Sequence, residues 1–128
     1  ARMIYLDTNV LIYLFENHTE YATRVADYID KNIKNNTRFA TSVITITELM
    51  AGNEHITIDT LLLIQGLQIV PVNAEIAAHA GTLMCQEKMH IGDALHIATA
   101  LSSKCNILYT NDDYLAKKAA KSMTVVKP

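Results

Sequence analysis

The sequence contains no tryptophan, two cysteines, two prolines and four glycines, and its charges nearly cancel to a net -2. Each scarcity excludes something. Cys85 and Cys105 show no paired CxxC spacing, so neither a disulfide framework nor a thiolate zinc site is indicated, and a reducing, cytoplasmic setting is expected. With so little glycine and proline, and no repeat or low-complexity tract, nothing divides the chain, and residues 1–128 are expected to form one domain. Ala1-Arg2, standing before Met3, are expected to be an appended remnant. Long apolar runs are missing too: Val10 to Phe15 and Leu61 to Ile64 fall far short of a bilayer span, and no charged-then-apolar leader is seen. No membrane partner is expected. The slight negative charge disfavours an indiscriminate nucleic-acid coat protein, although it suits a nuclease whose own carboxylates make the total acidic.

Half of the residues are apolar, enough for a real core. The chain is organised around Met3-Ile4-Tyr5-Leu6-Asp7-Thr8-Asn9, a strand-forming run that meets an acid and then two small polar residues before Val10 resumes an apolar run. This predicts a buried strand ending at Asp7 and a helix capped by Thr8 or Asn9. Glu20 to Ile33 places Val25, Tyr28, Ile29 and Ile33 at helical spacing. Phe39 to Ser42 predicts a second strand, Val43 to Met50 a helix closed by Gly52, and Gln68 to Val72 a third strand. Asn73 is a credible cap for a helix over Ala74 to Lys88. Gly92 to Ser103 is apolar nearly all round and belongs in the middle of a domain. Asn106 to Tyr109, Asp112 to Lys121 and Met123 to Val126 complete the pattern as strand, helix and edge strand. Strands alternating with helices predict an α/β fold, with a mostly parallel sheet covered on both faces and its carboxyl edge open to ligands. Ile56 to Leu67 carries more apolar residues than one stripe needs, so part of it should face a partner.

Four acids stand where the pattern does not require a charge, or directly after a strand: Asp7, Glu48, Asp93 and Asp112. Each has an ordinary explanation, as a strand end, a solvated helix face, a first-turn acid or an N-cap. Together they lie toward one edge of the sheet. Carboxylates about 4 Å apart repel by roughly 4 kcal/mol at an effective dielectric near 20, so such a group calls for a cation. Oxygen donors favour Mg²⁺ or Mn²⁺ over zinc. A hard divalent ion lowers the pKa of bound water and stabilises charge on a phosphodiester, which makes phosphate-ester hydrolysis the leading chemistry.

Leu6-Asp7-Thr8-Asn9-Val10-Leu11-Ile12, Thr47-Glu48-Leu49-Met50-Ala51-Gly52, the Gly92-Asp93-Ala94-Leu95-His96-Ile97-Ala98-Thr99-Ala100-Leu101 run and Thr110-Asn111-Asp112-Asp113 resemble, in order and over the whole chain, the four signatures of PIN-domain ribonucleases, closest to toxins of the VapC type. The resemblance implies a three-layer, flavodoxin-like fold with a five-stranded sheet, Mg²⁺- or Mn²⁺-dependent endoribonuclease activity on RNA, a cognate antitoxin and a homodimer. Carried over to this chain, it makes Asp7 and Asp93 direct metal ligands and has Glu48 and Asp112 act through water or a second ion. Thr8, Asn9 and Thr110 would orient that shell. Asp112 is preferred to the adjacent Asp113 because it stands two residues after Thr110. Tyr114 and Leu115 replace the acid and phenylalanine often found there in the family, which touches only the outer shell.

His90 and His96 bracket Asp93, but a spacing of six points them to different helix faces, and surface and packing roles are expected. Lys104, Lys117, Lys118 and Lys121 read as solvated positions rather than phosphate contacts, Met84 and Met89 as core filler, and both cysteines as buried small residues. Two rival functions stand beside the nuclease. A phosphatase of the haloacid-dehalogenase type would use Asp7 as nucleophile and Asp112-Asp113 for Mg²⁺, but needs an acid where Asn9 stands. A non-catalytic PIN-like module binding RNA or protein would have no need to retain four mutually repelling acids. The antitoxin surface is expected to include Ile56 to Leu67 and the helix after Asp7.

Overall fold

In the computed structural model, residues 2–128 are described, and Ala1 of the expected remnant lies outside the described residues. The elements follow one another as β1 (Met3–Leu6), α1 (Thr8–Phe15), α2 (Ala22–Lys34), β2 (Arg38–Ser42), α3 (Val43–Gly52), α4 (Ile58–Leu61), β3 (Leu67–Val70), α5 (Ala74–Glu87), α6 (Ile91–Ser102), β4 (Ile107–Tyr109), α7 (Asp113–Ala119) and β5 (Thr124–Val126). All strand pairs are parallel, in the order β3-β2-β1-β4-β5, so the edge strand too joins in parallel and the expected α/β class holds.

Period-two alternation along the strands builds two cores, one on each face of the sheet. Ile4, Leu6, Phe39, Ile107 and Tyr109 face Val10, Leu11, Val25, Ile29 and Leu49 from α1, α2 and α3. Tyr5, Ala40 and Leu108 face Ile76, Ala94, Ile97, Ala98 and Leu115 from α5, α6 and α7. The expected central helix is real: Ala94, His96, Ile97, Ala98, Thr99 and Ala100 of α6 are all buried.

The strand order reverses at β1. The chain moves outward through β2 and β3, then returns to place β4 on the other side of β1. In open parallel sheets the crevice beyond the strand ends at such a point is where ligands bind. Here that crevice lies between the residues following β1 and those following β4.

Two expectations need correction. Neither Thr8 nor Asn9 caps α1; Asp7 does, its side chain accepting from the Thr8 amide, because a carboxylate directly after the strand reaches the orphan N–H first. Cys85 is exposed on α5, and only Cys105 is a buried cysteine. As expected, part of Ile56 to Leu67 faces away from the core: the segment forms α4, turns and the first residue of β3, with Ile56, Leu61 and Ile64 buried and Ile58, Leu62 and Leu63 exposed. Among the described residues, no helix is long and apolar enough to cross a membrane.

Candidate active site at the carboxyl edge of the sheet

Asp7 is 6% exposed and holds two roles at once. Its Oδ1 accepts from the Thr8 amide at 2.8 Å, and its Oδ2 accepts from the Thr110 hydroxyl at 2.7 Å. The Thr110 oxygen in turn accepts from Asn9 Nδ2 at 3.3 Å and from the Asp112 amide at 3.0 Å. Asn9 Oδ1 accepts from the Asn111 amide at 3.3 Å. The turns after β1 and β4 are thereby tied together around one carboxylate. Asn9 has both ends of its amide engaged.

Asp93 sits in the first turn of α6 and Asp112 caps α7, accepting from the Leu115 amide at 3.0 Å. Burial, and then the charges of Asp112 and Asp7, hold the Asp93 carboxyl above its ordinary pKa. Asp112 and Asp7 therefore both lie near enough to Asp93 for their charges to act on it. Asp113 is placed elsewhere: its side chain is exposed and pairs with Lys127.

Glu48 comes from α3, with its side chain 43% exposed. Its Oε1 accepts from the Thr8 hydroxyl at 2.6 Å and from His96 Nε2 at 2.8 Å. Burial alone would raise its pKa, but these bonds outweigh burial and lower it. For Asp7 the balance goes the other way: burial raises the pKa, and His96, Thr110 and the Thr8 amide offset it only in part.

The surface-and-packing expectation for His96 is incomplete. The ring is buried, as expected, but it lies among the acids, with Nε2 also 3.7 Å from Asp7 Oδ1. Burial opposes its charged form, yet the bond to Glu48 and the charges of Asp7, Glu48 and Asp93 outweigh burial and raise its pKa. Its spacing of three from Asp93 was the available signal, since residues i and i+3 share a helix face. Tyr5, whose hydroxyl lies 2.5 Å from His96 Nδ1, carries no such local signal. His90 is exposed at the start of α6, as expected. Lys118 and Lys121 pair with Glu87, which suits a solvated face.

Among the described residues, no three His, Cys, Asp or Glu side chains converge closely enough to hold a metal ion by themselves. The donors on offer are carboxylate and hydroxyl oxygens. Mg²⁺ commonly binds through one or two carboxylates and keeps several waters, so this donor chemistry suits such an ion without an all-protein cage.

The chain matches the sequence profile of the PIN domain over residues 4–121 and belongs to the PIN-domain family. Its fold is also that of solved structures. A toxin-antitoxin complex from Klebsiella pneumoniae is 26% identical with a TM-score of 0.71, covering 96% of this chain and 95% of that one. VapBC2 from Rickettsia felis, solved bound to a DNA fragment from its promoter, is 20% identical with a TM-score of 0.73, covering 98% of both chains. VapC20 from Mycobacterium tuberculosis, described as a sarcin-ricin loop cleaving toxin, is 15% identical with a TM-score of 0.71, covering 98% of this chain and 99% of that one. No curated protein matches the sequence.

Proposed function

We propose that this chain is a metal-dependent endoribonuclease, the toxin of a VapBC-type toxin-antitoxin pair, acting in the cytoplasm as a homodimer. The observation that carries the reading is Asp7 bonded to Thr110 at the β1/β4 reversal, with the Asp112 amide on the same hydroxyl and Asp93 acted on by both acids, in a chain of the PIN-domain family. The solved toxin-antitoxin complex at 26% identity and the sarcin-ricin loop cleaving toxin of the same fold support it. An Asp93 carboxyl whose ionised form is disfavoured by burial and by the charges of Asp112 and Asp7 is poorly placed for stability alone and well placed for a cation.

Asp7 and Asp93 would hold Mg²⁺, or Mn²⁺ in its place. When bound, such an ion lowers the pKa of a coordinated water and stabilises the charge that develops on phosphorus. The chain's own residues prepare the place for this. Thr8, Asn9 and Thr110 fix the orientation of Asp7, whose two oxygens already have donors. Glu48, kept ionised by Thr8 and His96, and Asp112 would act on the surrounding water, while Asp113 belongs to the outer rim. Attack of water on phosphorus breaks the bond to the 3′ oxygen and leaves a 5′-phosphate and a 3′-hydroxyl. The phosphatase alternative wants an acid at position 9, where the Asn9 amide is committed to Thr110 and Asn111.

The antitoxin would dock on an apolar groove of about 360 Å³ lined by Leu14, Phe15, Ile29, Ile33, Leu63 and Ile64. Leu63 is 83% exposed at its rim, beside the exposed Leu62. The groove joins the end of α1 to the segment after α4.

The test is cleavage of a mixed structured RNA by the purified chain and by Asp7→Asn, with Mg²⁺, Mn²⁺ or EDTA. Metal-dependent cuts that disappear in the variant are expected. Equal cutting by both proteins would overturn the assignment, and a covalent aspartyl-phosphate would transfer it to the phosphatase.

A further inference from the structure

We propose that Tyr5 and His96 form a positioning relay that sets the orientation of Glu48, with Tyr5 holding the His96 ring at Nδ1 while the ring donates from Nε2 to Glu48. Its role in catalysis rests on the nuclease reading; the relay itself does not.

The proton assignment follows from donors that have no choice. The Ser42 backbone N–H lies 3.1 Å from the Tyr5 hydroxyl oxygen and can only donate to it. The Tyr5 hydroxyl so held lies 2.5 Å from His96 Nδ1. Whether charged, or neutral and accepting at Nδ1, the ring carries a proton on Nε2. That atom is 2.8 Å from Glu48 Oε1, which as a carboxylate oxygen can only accept. The opposite tautomer would set a bare Nε2 lone pair against the carboxylate and leave the phenolic proton facing another N–H.

The same Oε1 also accepts from the Thr8 hydroxyl at 2.6 Å. Thr41 Oγ1 donates to the Leu6 carbonyl and Thr45 gives its own proton to Thr41, both at 2.8 Å. The Thr45 oxygen, 3.2 Å from the Thr8 hydroxyl, can therefore only accept, and the shorter contact to the charged Glu48 oxygen takes the Thr8 proton. Two donors on one oxygen fix the carboxylate plane and leave Oε2 for the site. Oε2 lies against the first turn of α6, 3.8 Å from where a Cβ on Gly92 would stand, next to Asp93. The relay therefore runs from the end of β2 through β1 and α6 to α3. It locks an otherwise half-exposed side chain to three other elements.

Tyr5 and His96 are both buried, so their effect reaches the reaction through Glu48. Outer partners of this kind typically cost about 10- to 100-fold in activity or metal affinity when removed. The experiment uses the full chain labelled with ¹⁵N-histidine. Long-range ¹H–¹⁵N spectra should show a proton on His96 Nε2 in the wild type, and in Tyr5→Phe an Nδ1 resonance moved by the loss of its partner. A wild-type ring with no proton on Nε2, or an Nδ1 resonance that does not move in Tyr5→Phe, would overturn the relay. In RNA cleavage, His96→Leu should lower kcat by about 10- to 100-fold with KM little changed, the scale expected of an outer partner. His96→Gln, whose amide can place an N–H donor near the position of Nε2, should recover most of that loss. Equal losses in the two variants would also overturn it. If His96→Leu fails to fold, the spectra of Tyr5→Phe and the activity of His96→Gln still decide. Should the wild type cut no RNA, the nuclease reading falls while the tautomer spectra judge the relay independently.

Discussion

Replacing Tyr5 with Phe tests how much the buried polar relay contributes to stability. The ring stays, so the apolar contacts within its core are kept and only one oxygen is lost. That oxygen serves two partners, the Ser42 amide at 3.1 Å and His96 Nδ1 at 2.5 Å, and both partner residues are buried. A buried group left without its hydrogen bond costs about 1–3 kcal/mol, and two are orphaned; with partial relaxation of the ring, the expected loss is about 2–4 kcal/mol. For a domain of this length each kcal/mol moves Tm by roughly 4 °C, so the midpoint should fall by about 8–16 °C. Tyr109→Phe is the matched control. Tyr109 is also buried in the sheet and stacks on Tyr28 at 4.1 Å, but its hydroxyl has no hydrogen-bond partner among the described residues. Its loss should stay within about 0.5 kcal/mol. Thermal and urea unfolding followed by circular dichroism would measure both. Equal stabilities for the two variants would refute the reasoning.

Further outcomes follow from the same geometry. Without divalent ions, Asp93→Asn should unfold at a higher temperature than the wild type at neutral pH, because burial and then Asp112 and Asp7 make the ionised Asp93 carboxyl costly in the fold. An acid whose native pKa is raised carries no such cost below its unfolded pKa of about 3.9 and acquires it as pH rises through the native value. The gap between the two chains should therefore close on acidification; a gap that widens contradicts the sign. Adding Mg²⁺ or Mn²⁺ should raise the wild-type Tm, by the equivalent of about 2.7 kcal/mol at a hundred times Kd, and should leave Asp7→Asn almost unmoved. Leu63→Asp changes an 83% exposed residue, so calorimetry should find the fold unaffected and antitoxin binding weakened. Undiminished binding would remove the groove from that interface.

The alternation of apolar strands with amphipathic stretches made the α/β class legible, because a parallel sheet must be covered on both faces and its strands then read as continuous apolar runs. Asp7, Asp93 and Asp112 were legible as candidates because they follow strands or open a helix that is otherwise apolar. What local pattern could not give was contact across the chain. Tyr5 and His96 are separated by 91 positions, and only the packing of α6 over β1 joins them. His96 was weighed against His90, six residues away, when its neighbour on the helix face was Asp93. The choice between Asp112 and Asp113 could be argued from spacing to Thr110, but their surroundings differ only in the fold, where one caps α7 and the other reaches Lys127. The cap of α1 was assigned to Thr8 or Asn9, with a capping Asp7 set as the ordinary alternative to a site role, yet in the fold Asp7 does both: one of its oxygens serves the helix and the other Thr110.

The most direct test of the central claim is the chemistry of the RNA ends left by the purified chain with Mg²⁺ or Mn²⁺, compared with Asp93→Asn. The account predicts 5′-phosphate and 3′-hydroxyl ends, produced only with metal and lost in the variant. Ends carrying a 2′,3′-cyclic phosphate, or cuts that persist in EDTA or in Asp93→Asn, would contradict it.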